Sequence, residues 1–274
     1  MQHEHDAPII VDYRAHAEFE KLARSYGYDP ANRWVGGYFE YQWRTLRHIL
    51  RELPLDGAQT RVLEFGCNVG AGALTAAKLG MQVTALDIDS NLLEIALLNA
   101  CRYGLADRIV FRHVPDTRDL PFENESFDLV ICCSVLEYVA PRLLAAVQRE
   151  IDRVTAINGI ILVTATSNRL SPWEVHSRLW LLNYLPRIVD RWMETDLPRG
   201  VLPWTIRYGF GDAYQNLDYL DAGHAFIRAR EAFGASPAFM LLARIWNALC
   251  IACGINVGML LPNMSMTLRK HRRA

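Results

Sequence analysis

The sequence predicts an α/β fold with a doubly wound, mostly parallel sheet, and three observations carry that prediction. Val62, Leu63 and Phe65 form a short apolar run that stops abruptly at Gly66, as a buried parallel strand does before a turn. After the glycines of Gly66-Cys-Asn-Val-Gly-Ala-Gly72, the stretch Ala73-Leu-Thr-Ala-Ala-Lys-Leu79 is rich in helix formers and ends at Gly80, a C-terminal stop signal. A second apolar strand, Gln82 to Leu86, then delivers Asp87. Strand, Gly-rich turn, helix, strand and acidic residue make a unit in which backbone approaches a ligand and a carboxylate can hold a ribose diol.

The elements follow in order. Residues 8 to 53 read as helical, with apolar residues at helical spacing in His16 to Arg24 and Tyr41 to Leu53, separated by Gly27-Tyr-Asp-Pro30 and Gly36-Gly37. This segment is rich in aromatics, including Tyr13, Phe19, Trp34, Tyr38, Tyr41 and Trp43, which suit the core of a helical layer packed on the sheet. Beyond Asp87, the stretch from Ser90 to Tyr103 is an amphipathic helix with Ser90 as its N-cap and Gly104 at its end. Arg108 to His113 is a third strand, and Leu129 to Cys133 a fourth, with Cys133 and Ser134 at the sheet edge where such folds bind ligands. Pro141 opens a helix running through Val154, with Glu150 and Arg153 on its solvated face. Asn158-Gly159 turns into a fifth strand, Ile160 to Ala165.

At 274 residues, with 51% hydrophobic and 22% charged content, the chain is a globular protein with a real core, as one large domain or a core plus an elaboration. A formal net charge of −1 gives no electrostatic reason to expect nucleic acid as a partner. Six scattered cysteines and a start without signal-peptide character read as reduced thiols in a cytoplasmic protein. Cys250-Ile-Ala-Cys253 has zinc-like spacing but no partner pair or His cluster, so helix-core cysteines and no metal site are expected.

Two ligand classes use a Gly-rich turn of this kind, and spacing separates them. A dinucleotide fingerprint needs G-x-G-x-x-G straight after the strand; counted from Gly66, the second and third positions are Asn68 and Ala71, which disfavours an NAD(P)-dependent oxidoreductase. Glu64-Phe-Gly-Cys-Asn-Val-Gly70 instead resembles the first motif of class I S-adenosylmethionine-dependent methyltransferases, E/D-x-G-x-G-x-G. Asn68 replaces the middle glycine, and Asn is the non-glycine residue most tolerant of positive φ. Val114-Pro-Asp-Thr-Arg-Asp-Leu-Pro-Phe122 and Ser126-Phe-Asp-Leu-Val-Ile-Cys-Cys-Ser134 are similar to two further motifs of that family, D-A-x-x-L-P-F and S-F-D-x-V, and Val135-Leu-Glu-Tyr-Val139 to its V-L-E-H-V. On these motifs, which cover about residues 60 to 168, the chain is identified as a member of the type 11/12-like methyltransferases. Met264 to Leu268 is similar to the closing antiparallel strand of these enzymes.

The resemblance implies a Rossmann-like, seven-stranded, mostly parallel sheet. It divides the chain into an N-terminal helical cover (1–58), a cofactor-binding core (59–168), a substrate-side insertion or helical region (169–262), and a final strand with a basic tail (263–274). It implies that part of the cover is a lid, with Tyr38 or Tyr41 facing the site. It also implies that Glu64, Gly66, Cys67, Asn68 and Gly70 hold the methionine end of S-adenosylmethionine, Asp87 and Ile88 the ribose, and Asp116 and Thr117 the adenine, with Cys133 beside them. S-adenosylhomocysteine would be the product.

Residues beyond strand five should choose the acceptor, a small molecule or a glycan methylated most readily on oxygen. An oxygen nucleophile needs a proton acceptor within hydrogen-bond reach. His176, with its near-neutral pKa, is the first candidate and Glu174 the second; on a helix two residues apart they would not share a face. His224 is a weaker one, and Glu137 and Tyr138 sit at the right edge to contact cofactor. Leu179 to Pro186 reads as an amphipathic or fully apolar segment, and Trp192, Trp204, Tyr208, Phe210, Tyr214 and Tyr219 serve either as core or as pocket walls. Ala238 to Leu261 approaches transmembrane length, but Arg244, Asn247 and Asn256 within it favour a buried helix with a partly apolar surface. The tail Arg269-Lys-His-Arg-Arg273 is expected to be solvated, with contact to an anionic membrane or a lipid-linked substrate as the sharper reading. N- or C-methylation of a small molecule, and a cofactor-binding scaffold without catalysis, remain alternatives.

Overall fold

The computed structural model describes residues 9–186, 199–253 and 255–271. Seven strands form one sheet: β1 (Arg61–Phe65), β2 (Gln82–Asp87), β3 (Ile109–His113), β4 (Phe127–Cys133), β5 (Thr155–Ser167), β6 (Tyr214–Asn216) and β7 (Asn263–Lys270). Their order is β3-β2-β1-β4-β5-β7-β6, with β1 to β5 parallel and β7 antiparallel to both β5 and β6. The fold class read from the sequence is therefore the observed one. β6 falls inside the stretch assigned to the substrate side, so that stretch also completes the sheet.

Helices α1 (Tyr13–Ser25), α2 (Tyr38–Glu52), α3 (Ala71–Lys78), α4 (Ser90–Arg102), α5 (Pro141–Val154), α6 (Pro203–Gly209), α7 (Leu217–Leu220), α8 (His224–Ala232) and α9 (Pro237–Ile251) surround it. The period-2 alternation of a strand explains the two cores. On β4, Leu129 and Ile131 face α2 and α3, joining Phe39, Trp43, Leu46 and Leu50 of the cover with Ala73 and Leu74. Val130 and Cys132 face the other way, onto Leu144, Val147 and Ile151 of α5. The cover is thus part of the core: Phe39, Leu46 and Leu50 are each at most 2% exposed.

Several local expectations are corrected. The cap of α4 is Asp89, whose carboxylate accepts from Asn91 N and Leu92 N; Ser90 is the first helical residue. Glu150 and Arg153 do not simply face solvent. Arg153 donates to the carbonyls of Phe122 at 2.7 Å and Leu120 at 2.8 Å, and Glu150 accepts from Leu120 N at 2.9 Å, so the pair clamps the loop that leads into β4. Lys270 of the basic tail is buried, paired with Asp152 at 3.0 Å and donating to Thr155 O at 2.9 Å; residues 272–274 lie outside the described residues.

Leu179–Pro186 is not a regular helix: it holds one 3₁₀ turn, Leu182–Tyr184, after an isolated bridge between Trp173 and Trp180. Phe210 and Tyr214 join the α5-side core, whereas Trp204 and Tyr208 are exposed; Trp192 lies outside the described residues. α9 is a helix with Met240, Ala243, Asn247 and Cys250 buried and Leu241, Leu242, Ile245, Trp246 and Leu249 exposed. Among the described residues, no helix is long and apolar enough to cross a membrane.

Candidate functional site

β1 and β4 are adjacent, and from them the chain winds in opposite directions, to β2 and β3 on one side and to β5 on the other. That reversal opens a crevice at the C-terminal edge of the strands, where open α/β sheets bind ligands. Here it is a cavity of about 1680 Å³ that runs from the glycine loop to the residues after β5. Small-molecule pockets typically measure about 300–1,000 Å³, so this one has room for a cofactor and a second molecule.

The loop after β1 is shaped for close approach. Gly66 has φ +71°, and a Cβ there would collide with Val135, so only glycine lets the two loops meet. Asn68 adopts φ 50°, as expected for Asn in place of glycine, and Asn158 likewise takes φ 66° before the long arm of β5. Ser134 and Ala165, at the ends of β4 and β5, also sit at positive φ (52° and 55°). Gly66, Asn68, Ser134 and Ala165 all line the cavity, so backbone strain is stored along its wall.

Two carboxylates stand at this end. Glu64 is buried, accepting from Ala73 N at 2.7 Å in the first turn of α3. Burial pushes its carboxyl up to about 8, a rise opposed by the Ala73 N–H and increased by the charge of Asp87. Asp87, at the end of β2, accepts from Asn68 N at 2.8 Å and from Asp89 N at 3.1 Å, tying the glycine loop to the neighbouring strand. Gly66, Cys67, Asn68, Ile88, Asp116, Thr117 and Cys133 line the cavity beside them. Gly70 does not. It is the left-handed cap of α3, facing Ala96 and Phe111, and serves packing where the sequence reading made it a ligand contact. Asp116 accepts from Nε and Nη2 of Arg118, at 2.8 and 2.6 Å, which brings its carboxyl down to about 2.

The cover supplies the roof. Tyr38 and Tyr41 of α2 line the cavity, while Phe39 and Trp43 on the same helix are core. Gln42, which sequence reasoning passed over, donates to Cys133 Sγ at 3.1 Å and to the Tyr38 hydroxyl at 3.1 Å. Burial pushes the Cys133 thiol up to about 12, so it is a neutral wall residue.

The two candidate bases part company. Residues 171–180 form turns, so no helix separates their faces. Glu174 is fully buried and its oxygens accept from Ser167 Oγ at 3.0 Å, His176 N at 3.0 Å and Ser177 N at 2.5 Å. Burial alone would raise its pKa, but these donors together hold it below the ordinary value. It is the anchor of the turn, not a base open to a substrate.

His176 does line the cavity. Its Nε2 lies 3.2 Å from Glu137 Oε1, and its Nδ1 lies 3.2 Å from the Tyr138 hydroxyl. Glu137 also accepts from Ser134 Oγ at 3.1 Å and Ser167 N at 3.1 Å, which fixes its buried carboxylate between the ends of β4 and β5. Glu137 raises the His176 pKa, against the opposing effect of burial. Glu137 therefore orients the ring from behind, a role that the spacing of 39 residues between the two did not announce. His224, at the start of α8, is exposed and away from this cavity's lining.

Known proteins resemble this chain mainly through its core. The family model described as methyltransferase domain matches residues 63–163. A ubiquinone biosynthesis O-methyltransferase of Xanthomonas euvesicatoria is 38% identical over 95 residues, which are 34% of this chain and 38% of that protein. One from Haemophilus ducreyi is 27% identical over 206 residues, 71% of this chain and 82% of that protein. An uncharacterized protein of Haemophilus influenzae is 35% identical over 103 residues, so for this relative and the Xanthomonas protein the match spans only 41% and 38% of their length. The solved 4+2 cyclase SpnF aligns over 97% of this chain and 99% of its own at 18% identity, with a TM-score of 0.52. That likeness is one of fold, and a fold does not dictate the reaction.

Proposed function

From the premise that the chain belongs to the class I S-adenosylmethionine-dependent methyltransferases, we infer that it transfers a methyl group to an oxygen of a small molecule or glycan. The observation that carries the choice of oxygen is the His176 ring, held by Glu137 at one nitrogen and presenting the other to a hydroxyl. The names of the O-methyltransferase relatives agree with it.

The residues of the site fit the cofactor. A sulfonium and an ammonium suit an end of the cavity walled by Glu64 and Asp87, and the left-handed loop at Gly66 and Asn68 lets backbone close on the ligand. When bound, S-adenosylmethionine supplies an already activated methyl group, so the chain's own work is alignment, exclusion of water and removal of one proton. Glu64, Gly66 and Asn68 would hold the methionine end, Asp87 the ribose diol, and Thr117 the adenine side. Asp116 would serve the adenine amino group only by sharing its carboxylate with Arg118.

At the other end, the Tyr138 hydroxyl occupies the position from which an acceptor hydroxyl would donate to His176 Nδ1. With Nε2–H held by Glu137, Nδ1 carries the free lone pair of the neutral ring. The acceptor proton passes to that nitrogen as the oxygen takes the methyl group, and the resulting imidazolium rests against the Glu137 carboxylate. Glu137 is thus a positioning residue and His176 the general base.

The test is calorimetric titration of S-adenosylhomocysteine and NAD+ into wild type and Asp87→Ala, followed by labelled-methyl transfer to a panel of hydroxyl acceptors. Binding of S-adenosylhomocysteine that is lost in the variant, with label appearing in an ether product, is the expected result. Binding of NAD+ alone would sink the reading.

A further inference from the structure

The large cavity is lined by both signs of charge: Glu64, Asp87 and Asp89 on one hand, and on the other Arg142, Arg178 and Arg230, none of which forms a salt bridge among the described residues. Arg118 differs, being engaged by Asp116. Arg142 and Arg178 are exposed, but Arg230 is half-buried and its surroundings are fixed.

Arg230 lies on α8, which packs against α2 of the cover. Its guanidinium carbon is 4.4 Å from the ring centre of Phe226 and 5.0 Å from that of Phe233. Trp34, Tyr41 and Phe233 share the cavity wall with it. Burial lowers its pKa, opposed by the neighbouring Tyr41 and Asp218. Neither is a firm counter-charge. Tyr41 is a phenol, and the Asp218 carboxyl accepts from Thr267 N at 2.9 Å and is pushed by burial up to about 7. Two aromatic rings lie against this guanidinium, whose N–H groups form a planar fork that matches a carboxylate or a phosphate. A partly desolvated cation whose neighbouring carboxyl is already engaged by other donors can take an anionic ligand.

We propose that the acceptor carries an oxyanion, carboxylate or phosphate, that docks on the edge of Arg230 while its apolar body lies against Trp34 and Tyr41. The word acceptor rests on the methyl-transfer reading; recognition of the anion does not. The two signs of charge lining the cavity would then match a cationic cofactor and an anionic substrate, so neither binds well in the other's place.

The probes are benzoate, phenyl phosphate and the neutral benzyl alcohol, titrated calorimetrically into the full chain saturated with S-adenosylhomocysteine. At least one anion is expected to bind roughly tenfold or more tightly than benzyl alcohol, with the preference shrinking at high salt. The tighter of the two anions distinguishes carboxylate from phosphate. Arg230→Met should abolish the preference and leave S-adenosylhomocysteine affinity within about twofold. Arg230→Lys, which keeps the charge without the fork, should retain a weakened preference and guards against a folding defect in the first variant. Equal binding of all three probes, no binding of any, or a preference that survives Arg230→Met overturns the proposal. Loss of S-adenosylhomocysteine affinity in both variants, at unchanged melting temperature, would overturn it too by assigning Arg230 to the cofactor's carboxylate. Failure of the methyl-transfer reading has a different signature: anion preference intact, with no label reaching any hydroxyl acceptor.

Discussion

At the scale of single residues, the site turns on proton positions. If His176 takes the acceptor proton, His176→Ala should lower kcat by about 10²–10⁴-fold and leave S-adenosylhomocysteine affinity unchanged. A base must be neutral to act, and Glu137 raises the His176 pKa above 6.5, so kcat/KM should climb with pH through that raised value and level off above it. Glu137→Gln removes the charge that favours the imidazolium and leaves burial to oppose it, so the acid limb should move to lower pH. The same pair contributes stability that is fully present below about pH 6.5 and lost as pH rises through the raised value. Glu64 makes a separate prediction. Its carboxyl is pushed up to about 8, and a cationic ligand beside it would pull that value down. S-adenosylhomocysteine, with its ammonium group, should therefore bind with proton release near neutral pH, visible as a binding enthalpy that changes with buffer and that Glu64→Gln abolishes. His176 was legible in the sequence as a neutral-pKa side chain past strand five, and Asp87 as the acid closing strand two. Glu137 was legible only as an edge residue: its partner is 39 positions away, and nothing local encodes that the end of β4 faces the turn after β5. Ser134 and Ala165 carried no signal, because neither is a residue type that advertises positive φ.

At the scale of elements, helix α2 has two jobs on two faces. Tyr38 and Tyr41 roof the cavity, while Phe39, Leu46 and Leu50 pack on the sheet. Leu46→Ala should cost about 2–5 kcal/mol in urea unfolding, because a fully buried side chain leaves a cavity that the sheet cannot refill. Tyr38→Phe removes only a hydroxyl that meets Gln42 and Cys133, so stability should change little while cofactor affinity reports whether the roof has loosened. Helix and strand positions were readable because their periodicities are local. Caps were less so: Asp89 and Ser90 are both good N-caps, and the choice depends on which residue leaves helical φ and ψ, here Asp89 at ψ 111°. The Glu150–Arg153 pair looks like any solvated i,i+3 pair in the sequence. Its clamp on the Leu120–Phe122 loop is a product of tertiary placement.

At the scale of the whole molecule, cofactor and fold should stabilise one another, since the cavity wall draws on the cover, the glycine loop and the residues after β5 together. S-adenosylhomocysteine at 100 times its Kd should add about 2.7 kcal/mol, read as a melting-temperature rise of several degrees that Asp87→Ala forfeits. Strand order was legible through motif resemblance, but β6 is three residues long and too short to carry a pattern. β7 sits between β5 and β6, yet the ribosome reaches it roughly 100 residues after finishing β5. At about 5–20 residues per second, each nascent chain spends on the order of 5–20 s with the edge of β5 unpaired. During synthesis, then, the protein is most prone to aggregate in this interval, and a stop codon placed before Asn263 would make that transient hazard permanent.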